Sequence, residues 1–492
     1  MQKSHVRRTV LLQSQLDKAV FLLIFSCLAI SPAFAACHAV TPSGSGSKTG
    51  ADWNNAYAGL PATLIRGDVY YLADGNYPPY TFNTAVSGTT TVEIRKAQSY
   101  DNCTSTGWNA STMGSSQATF SGSPAFTISS SYLILNGNGQ QTTAGCGGAP
   151  GSSVSAAPPT PADCGIKMAD TVSTGIQVTG AFTNLTTEYV ELLGNGNDSS
   201  SVALAEVINL GPVTSNTTWT HIYGHNAGCV YMQYMGNYRT VSDSYFWGTE
   251  TGGQGGCHGQ YSYDYNATNL TEFNNVYRDI AGTANWTFGY AGAGSGVVDT
   301  VKIYDNVFWQ SPTVSWIAWY SDGIISCIAN SGGWTQQCSN ITLVQNSMVG
   351  LVGSSTNGDP SNTGINNDCT DGCGSGSSYT VENNIWYESD APAFTTAAPA
   401  TWTQRYNSCL NSGTCPSGTD NVTNTSSPNP FTNWTAGIFT LASDNASWNN
   451  RLSLGSPCTV DAAGNTFTTD RGAYQYISGA PQPPTSIAAI AH

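Results

Sequence analysis

Four carboxylates in the middle of the chain are the residues best suited to chemistry: Glu250, Asp264, Asp279 and Asp322. Each falls in or beside a stretch that reads as a connection between short β runs. Acid–base cleavage of a glycosidic bond needs two carboxyl groups, one held protonated, and such a set fits it. The surrounding region, residues 240–325, is the densest in aromatic rings, among them Trp247, Tyr263, Trp286, Tyr290, Trp316 and Trp319. Flat rings with polar edges suit stacking on sugar faces, so the expected ligand is a polysaccharide. The competing reading assigns part of these rings to the core. Asp243 and Asp305 share a repeat position with Asn274, Gln345 and Asn383, which fits a turn role better than catalysis.

The elements that must position these groups are short strands. Few windows hold apolar residues at helical spacing without interruption by Gly, Pro or Asn, whereas short β runs between turn residues are everywhere. A loose repeat is visible in Val241-Ser-Asp-Ser-Tyr-Phe246, Phe273-Asn-Asn-Val-Tyr277, Ile303-Tyr-Asp-Asn-Val-Phe308, Leu343-Val-Gln-Asn-Ser-Met348 and Val381-Glu-Asn-Asn-Ile-Trp386. Its second polar position is Ser244, Asn275, Asn306, Asn346 and Asn384. A unit that repeats with variable insertions is how a solenoid reads, since each unit buries its apolar face only by stacking on neighbours. Asn at a bend tolerates the left-handed conformation, and its amide can bond the next Asn in the stack. Stacked coils also explain why only 9% of the residues are charged, because like charges on successive coils would repel.

Gly67-Asp68-Val69-Tyr70-Tyr71-Leu72-Ala73-Asp74-Gly75-Asn76-Tyr77 resembles the opening strand of exported parallel β-helix proteins of the pectate-lyase-like superfamily. The Asn-Asn rungs resemble its coils. Leu454-Gly455-Ser456-Pro457 and Asp470-Arg471-Gly472-Ala473-Tyr474 resemble its closing segment. The resemblance covers roughly residues 38–476. It implies an all-β, single-stranded, right-handed parallel β-helix with a short N-terminal capping helix. Asp52 to Leu64 would be that cap, with Asp52 as N-cap and Trp53, Ala56, Tyr57 and Leu60 buried. Lyases of this superfamily use Arg or Lys to take a proton beside a carboxylate, often with calcium. That implies Arg278 or Lys302 as base or uronate anchor, with calcium as the possible cofactor. Arg239, Arg278 and Lys302 fall in consecutive rungs, and salt bridges to nearby Asp243, Asp279 or Asp299 are the alternative. Fold alone does not select a reaction, and a non-catalytic surface solenoid that binds glycans is the second reading. His258, in Gly256-Cys257-His258-Gly259, is similar to the Gly-His-Gly element of polygalacturonase-like hydrolases, but that family's Asn-Thr-Asp, Asp-Asp and Arg-x-Lys partners are not found in order.

The chain has 492 residues, 15 Lys+Arg against 30 Asp+Glu, and a formal net charge of −15. No cationic footprint for nucleic acid exists, and the charge opposes a polyuronate unless cations intervene. Lys3, Arg7, Arg8 and Lys18, the apolar run Ala19 to Ile30, and Ala33-Phe34-Ala35 read as a signal peptide over 1–35; a lipid anchor at Cys37 is the alternative. The expected layout is a β-helix over 36–477, less regular at 388–450, then a disordered tail over 478–492. The mature protein is expected to be secreted or periplasmic, without a membrane span, and monomeric. Cysteines in an exported chain read as disulfides, and local spacing suggests Cys146/Cys164, Cys229/Cys257, Cys327/Cys338, Cys369/Cys373, Cys409/Cys415 and Cys37/Cys103, leaving Cys458 over. Gly44-Ser-Gly-Ser-Lys48-Thr49 is no phosphate loop, because Ser47 precedes the Lys and no strand leads into it.

Overall fold

In the computed structural model the chain divides into two units, Met1–Cys37 and His38–His492, and the repeating strands belong to the second. The structure describes residues 35–139, 146, 163–171, 174–194, 206–228, 230–249, 259–280, 284–289, 296–312, 323–328, 336–351, 364–368, 376–390, 392, 394–396, 400–454, 459, 461, 465–468 and 470–474.

Among the described residues, thirty strands form one hydrogen-bonded system, and each coil of chain pairs in parallel with the next. Bends divide the system into three stacks, here sheets A, B and C, visited in that order. Val69–Leu72 lies in sheet A, Gly75–Tyr77 in sheet B and Tyr80–Phe82 in sheet C. Further along, one coil runs through Gly296–Tyr304 in A, Val307–Trp309 in B and Ile325–Ile328 in C. The next runs through Gln336–Val344, Ser347–Val349 and Ile365–Asp368. This is the parallel β-helix expected from the repeat.

The corner between A and B is made the same way in coil after coil. Its first residue is Tyr189, His221, Asp243, Asn274, Asp305, Gln345, Asn383, Tyr406 or Asp420, each left-handed with φ between 52° and 58°. The turn role of Asp243 and Asp305 follows from this. The recurring Asn is the residue after, so the bend is not at the Asn itself. Its side chain ties coils together instead. The backbone N–H of Ser244 donates to Asn275 Oδ1, Asn275 to Asn306, Asn306 to Asn346, Asn346 to Asn384, Asn384 to Asn407 and Asn407 to Asn421, at 2.8–3.0 Å. From Asn275 to Asn407, each Nδ2 donates inward to a strand carbonyl, as Asn306 does to Glu272 at 2.9 Å. The buried amides of this column are thereby satisfied on both sides.

Sheets point alternate side chains inward, and the interior is filled by columns in register. Phe246, Tyr277 and Phe308 stack with centroids 5.8 and 5.1 Å apart and planes within 15°. The cap is shorter than the sequence suggests. Trp53–Asn55 is one 3-10 turn, Asp52 makes no side-chain bond to its backbone, and Gly59 turns left-handed before Pro61. Trp53 is still buried, against Trp108 at 5.0 Å.

At the other end the chain folds back. Phe431–Asn433 and Ile438–Leu441 pair antiparallel, and Phe431, Phe439, Leu441, Trp448, Ala473 and Tyr474 pack over the outer face of sheet B against Val307, Val349 and Ile385. Arg471 is fully buried and donates to the carbonyls of Asn407, Asp420 and Asn450. Disulfides join Cys146–Cys164, Cys327–Cys338 and Cys409–Cys415, and Cys37 and Cys103 are also disulfide-bonded. Cys229, Cys257, Cys369, Cys373 and Cys458 lie outside the described residues, as do residues 1–34 and 478–492.

Asn306→Ala deletes the acceptor of Asn275 N–H inside the stack. The expected cost is about 2–4 kcal/mol, since several buried polar groups lose partners at ~1–3 kcal/mol each. Urea unfolding measures it; a loss below about 1 kcal/mol would mean that the ladder decorates the coil rather than holding it.

Candidate functional site

Tight A–B corners leave the spare chain length elsewhere. Between residues 250 and 375, the connections from B to C are 250–259, 281–285, 310–324 and 350–364, and those from C to A are 290–295, 329–335 and 369–375. Both borders of sheet C therefore carry long segments. Variable loops beside a rigid sheet are where binding groups collect.

The outer face of sheet C presents a row in register: Gln233, Tyr263, Thr287, Ser326 and Asn366. Trp286 and Phe288 face the core, so Thr287 between them faces out; Ile325 and Cys327 place Ser326 likewise. The row carries no charge. Gln233, Tyr263 and Asn366 are half-buried, whereas Thr287 and Ser326 are 2% and 0% exposed. The hydroxyls of those two have no hydrogen-bond partner among the described residues.

Beside this face, the last outward column of sheet B is His225, Trp247, Arg278 and Trp309. The Arg278 guanidinium lies 4.8 Å from both indole centroids, sandwiched between Trp247 and Trp309. Its Nε donates to Asp279 Oδ2 at 3.0 Å and its Nη1 to the Tyr245 hydroxyl at 3.3 Å. Burial works against its charge, but Tyr245 and Asp279 more than offset it, so its pKa is raised. A guanidinium so held is a fixed cation, not a proton acceptor. Asp279, the next residue, is left-handed, φ 51°. Its carboxylate accepts from Ser311 N at 2.6 Å, Ser311 Oγ at 3.0 Å and Arg278. Burial pushes its pKa up, against those bonds.

Three coils earlier on sheet B, Glu191 accepts from Lys167 at 2.7 Å, His225 at 2.9 Å and Gln117 at 2.6 Å. Burial opposes its ionisation, yet the three donors hold its pKa down at about 2. This cluster was not among the residues expected from sequence. Thr287 and Ser326 were also missed; the apolar–polar–apolar triplets Trp286-Thr-Phe288 and Ile325-Ser-Cys327 were the available signal.

Of the expected site residues, Trp247, Arg278 and Asp279 come together and Tyr263 lies on the neighbouring face. Others go elsewhere. Asp264 is not in a connection but inside the helix, fully buried, where Arg239 donates to it at 2.7 Å and to Glu272 at 2.7 Å. Tyr261 and Tyr277 also donate to Glu272, and Ser262 to Asp264. Trp286 is fully buried in the core. Lys302 is exposed on the outer face of sheet A, in a row with Thr240, Thr271, Thr342 and Thr380. Arg239, Arg278 and Lys302 thus occupy successive coils but face the core, sheet B's exterior and sheet A's exterior. Glu250, His258, Tyr290, Trp316, Trp319 and Asp322 lie outside the described residues. Among the described residues no group of three His, Cys, Asp or Glu could hold a metal ion, and no helix is long and apolar enough to cross a membrane.

No family model matches the chain, and no curated protein matches it. Solved structures do. The crystal structure of pectate lyase Pel9A is similar over 90% of this chain and 97% of its own, with TM-score 0.48 and 13% identity. The structure of XylC in complex with xylose is similar over 89% of this chain and 98% of its own, with TM-score 0.37 and 8% identity.

The buried triad yields two tests. Arg239→Met leaves two enclosed carboxylates without their cation and should cost about 3–5 kcal/mol in urea unfolding. Burial raises the pKa of both Asp264 and Glu272 against the pull of Arg239. A carboxyl raised on folding stabilises fully below its unfolded pKa and loses that contribution as pH rises through the folded one. The stability of the wild type relative to Asp264→Asn should therefore fall as pH rises above the ordinary carboxylate range. A relative stability that climbs with pH would reverse the assignment.

Proposed function

We propose that this protein binds a polysaccharide across the outer face of sheet C and cleaves it with carboxylates from the connections that border that face. The observation that carries the reading is the uncharged hydrogen-bonding row, with its two enclosed hydroxyls lacking partners among the described residues, between two borders of long connections. The partly exposed Trp247 and Tyr263 supply rings at its edge. Glu250 and Asp322 are the proposed acid and base, because both belong to segments that join sheet B to sheet C. Glu191 and Asp279 do not suit the role: every oxygen of each already accepts hydrogen bonds within the protein. That saturation favours the second reading, a face that binds glycan without cutting it. The disulfide-bonded cysteines among the described residues fit an oxidising, extracellular setting, and export through a cleaved signal peptide is part of the proposal.

The test is incubation of the mature chain with a glycan panel, with and without calcium. Ultraviolet absorbance of unsaturated sugar ends and release of reducing ends are read together. Reducing ends without absorbance, abolished in Glu250→Gln or Asp322→Asn, is the expected result. Binding without either product selects the second reading. Tyr263→Ala should weaken binding about tenfold, the effect of removing one ring contact.

A further inference from the structure

We propose a second binding site at the N-terminal end of the stack: the outermost strand of sheet C, Tyr80–Phe82, pairs with an extended peptide segment and seats one apolar side chain of it in the adjoining cavity. The site is separate from the glycan reading and stands without it. Sheet A is closed at that end. Val40 and Thr41 pair there with Tyr57 and Ala58, and Ala73 N–H donates to Val40 O at 2.9 Å. Sheets B and C are open. Gly75–Tyr77 and Tyr80–Phe82 each pair only with the following coil among the described residues.

Tyr80–Phe82 therefore has a free edge. Tyr80 N–H donates to Ala125 O at 3.2 Å, and Phe82 O accepts from Ser129 N–H at 2.8 Å. Both bonds run to the next coil, so the N–H and C=O of Thr81, between them, face the other way. No other described strand takes them up, and Thr81 is exposed. An unpaired N–H and C=O side by side are what an added strand pairs with. Pro78 and Pro79, just before the strand, offer no N–H, so the pairing edge starts at Tyr80.

Adjoining the edge is a cavity of about 340 Å³, at the small end of the roughly 300–1,000 Å³ of ligand sites. Leu60, Tyr77, Tyr80, Phe120, Pro78 and Pro79 make its walls, and no lining residue is charged. The segment that arches over it is pinned at both ends: Gly59 N–H donates to Thr41 O at 2.8 Å, and Leu64 N–H to Thr84 Oγ1 at 3.0 Å. The phenol hydroxyls in its walls are committed, Tyr80 to Pro61 O at 2.9 Å and Tyr77 to Ala73 O at 2.9 Å. A sugar ring inside would lose hydration at its hydroxyls with few partners to replace it, whereas a leucine-like side chain needs none. Polar capacity sits on the rim as a strand edge, and apolar capacity sits within. Tyr80 and Phe82 pair with the core residues Phe126 and Ile128, so they mark the inward side of this strand. In an added strand, the residues flanking the one opposite Thr81 therefore point inward, over the Tyr80 ring.

Fluorescence anisotropy on the full mature chain tests this. The probes are dye-labelled heptapeptides of alternating threonine and glutamine, with leucine, alanine or glutamate at the centre. The leucine peptide should bind saturably, about tenfold tighter than the alanine and glutamate peptides. Thr81→Pro removes an N–H that has no strand partner in the protein, so it should weaken the leucine peptide about tenfold at an unchanged thermal midpoint. Ala62→Phe, which fills the cavity, should bring the leucine peptide down to the alanine level, and it decides the matter should the proline variant unfold. No saturable binding up to about 1 mM peptide, or equal affinity for all three peptides untouched by both variants, would overturn the proposal. So would displacement of the leucine peptide by neutral xylo- or gluco-oligosaccharides, which would make the cavity a sugar site. A sedimenting dimer dissolved by Thr81→Pro would also overturn it, by seating a second copy on the edge.

Discussion

The two-residue corner between sheets A and B is the constraint on which the rest depends. A left-handed residue turns the chain, and the next side chain spans to the coil beneath. Because the Asn oxygen must reach one particular N–H, coils cannot slip past each other by a residue without orphaning the whole column. Register in sheets A and B is thereby pinned. The interior columns, such as Phe246, Tyr277 and Phe308, can then stack ring on ring rather than ring on gap.

From Tyr189 onward the corner is tight and variation in coil length falls elsewhere, whereas the earlier coils carry long A–B connections at 97–117 and 137–165. Insertions between residues 250 and 375 fall between B and C or between C and A. Sheet C is the one face with extendable chain on both sides. Sheet B is occupied from the other direction: the closing segment covers Val307, Val349 and Ile385, and Phe439 meets Trp309 edge to face at 5.4 Å. From Tyr189 onward, sheet A is bordered on its B side by tight corners. The location of the candidate site is a consequence of where the ladder forbids insertion.

Stacking also governs charge. Residues in one column sit about 4.8 Å apart, the spacing of paired strands, so repeated like charges would repel strongly. The chain handles its few central cations singly: Arg239 enclosed with two carboxylates, Arg278 between two indoles, Lys302 among threonines. The outer row of sheet C itself holds no charged residue from Gln233 to Asn366.

How much of this was legible beforehand differs by residue. The repeat from Val241 to Trp386 specified a solenoid, because period and composition are properties of sequence and a stack is what they allow. The turn role of Asp243 and Asp305 was legible for the same reason, from their column. Three cysteine pairs with described geometry follow spacings short enough to read. The face of each strand was not legible in the same way. Asp264 reads as a loop carboxylate and lies in the core, because a residue's side depends on where the chain bends, and Gln260–Phe273 bends within a run that looks continuous. Arg239, Arg278 and Lys302 recur at coil spacing, yet each points in a different direction. Sequence determined that coils stack and that charge is scarce, since these depend on residue type alone. Which side chains meet across coils, and which way each strand residue faces, was decided only by the tertiary structure, because registry and bend position are set by contacts between residues distant in the chain.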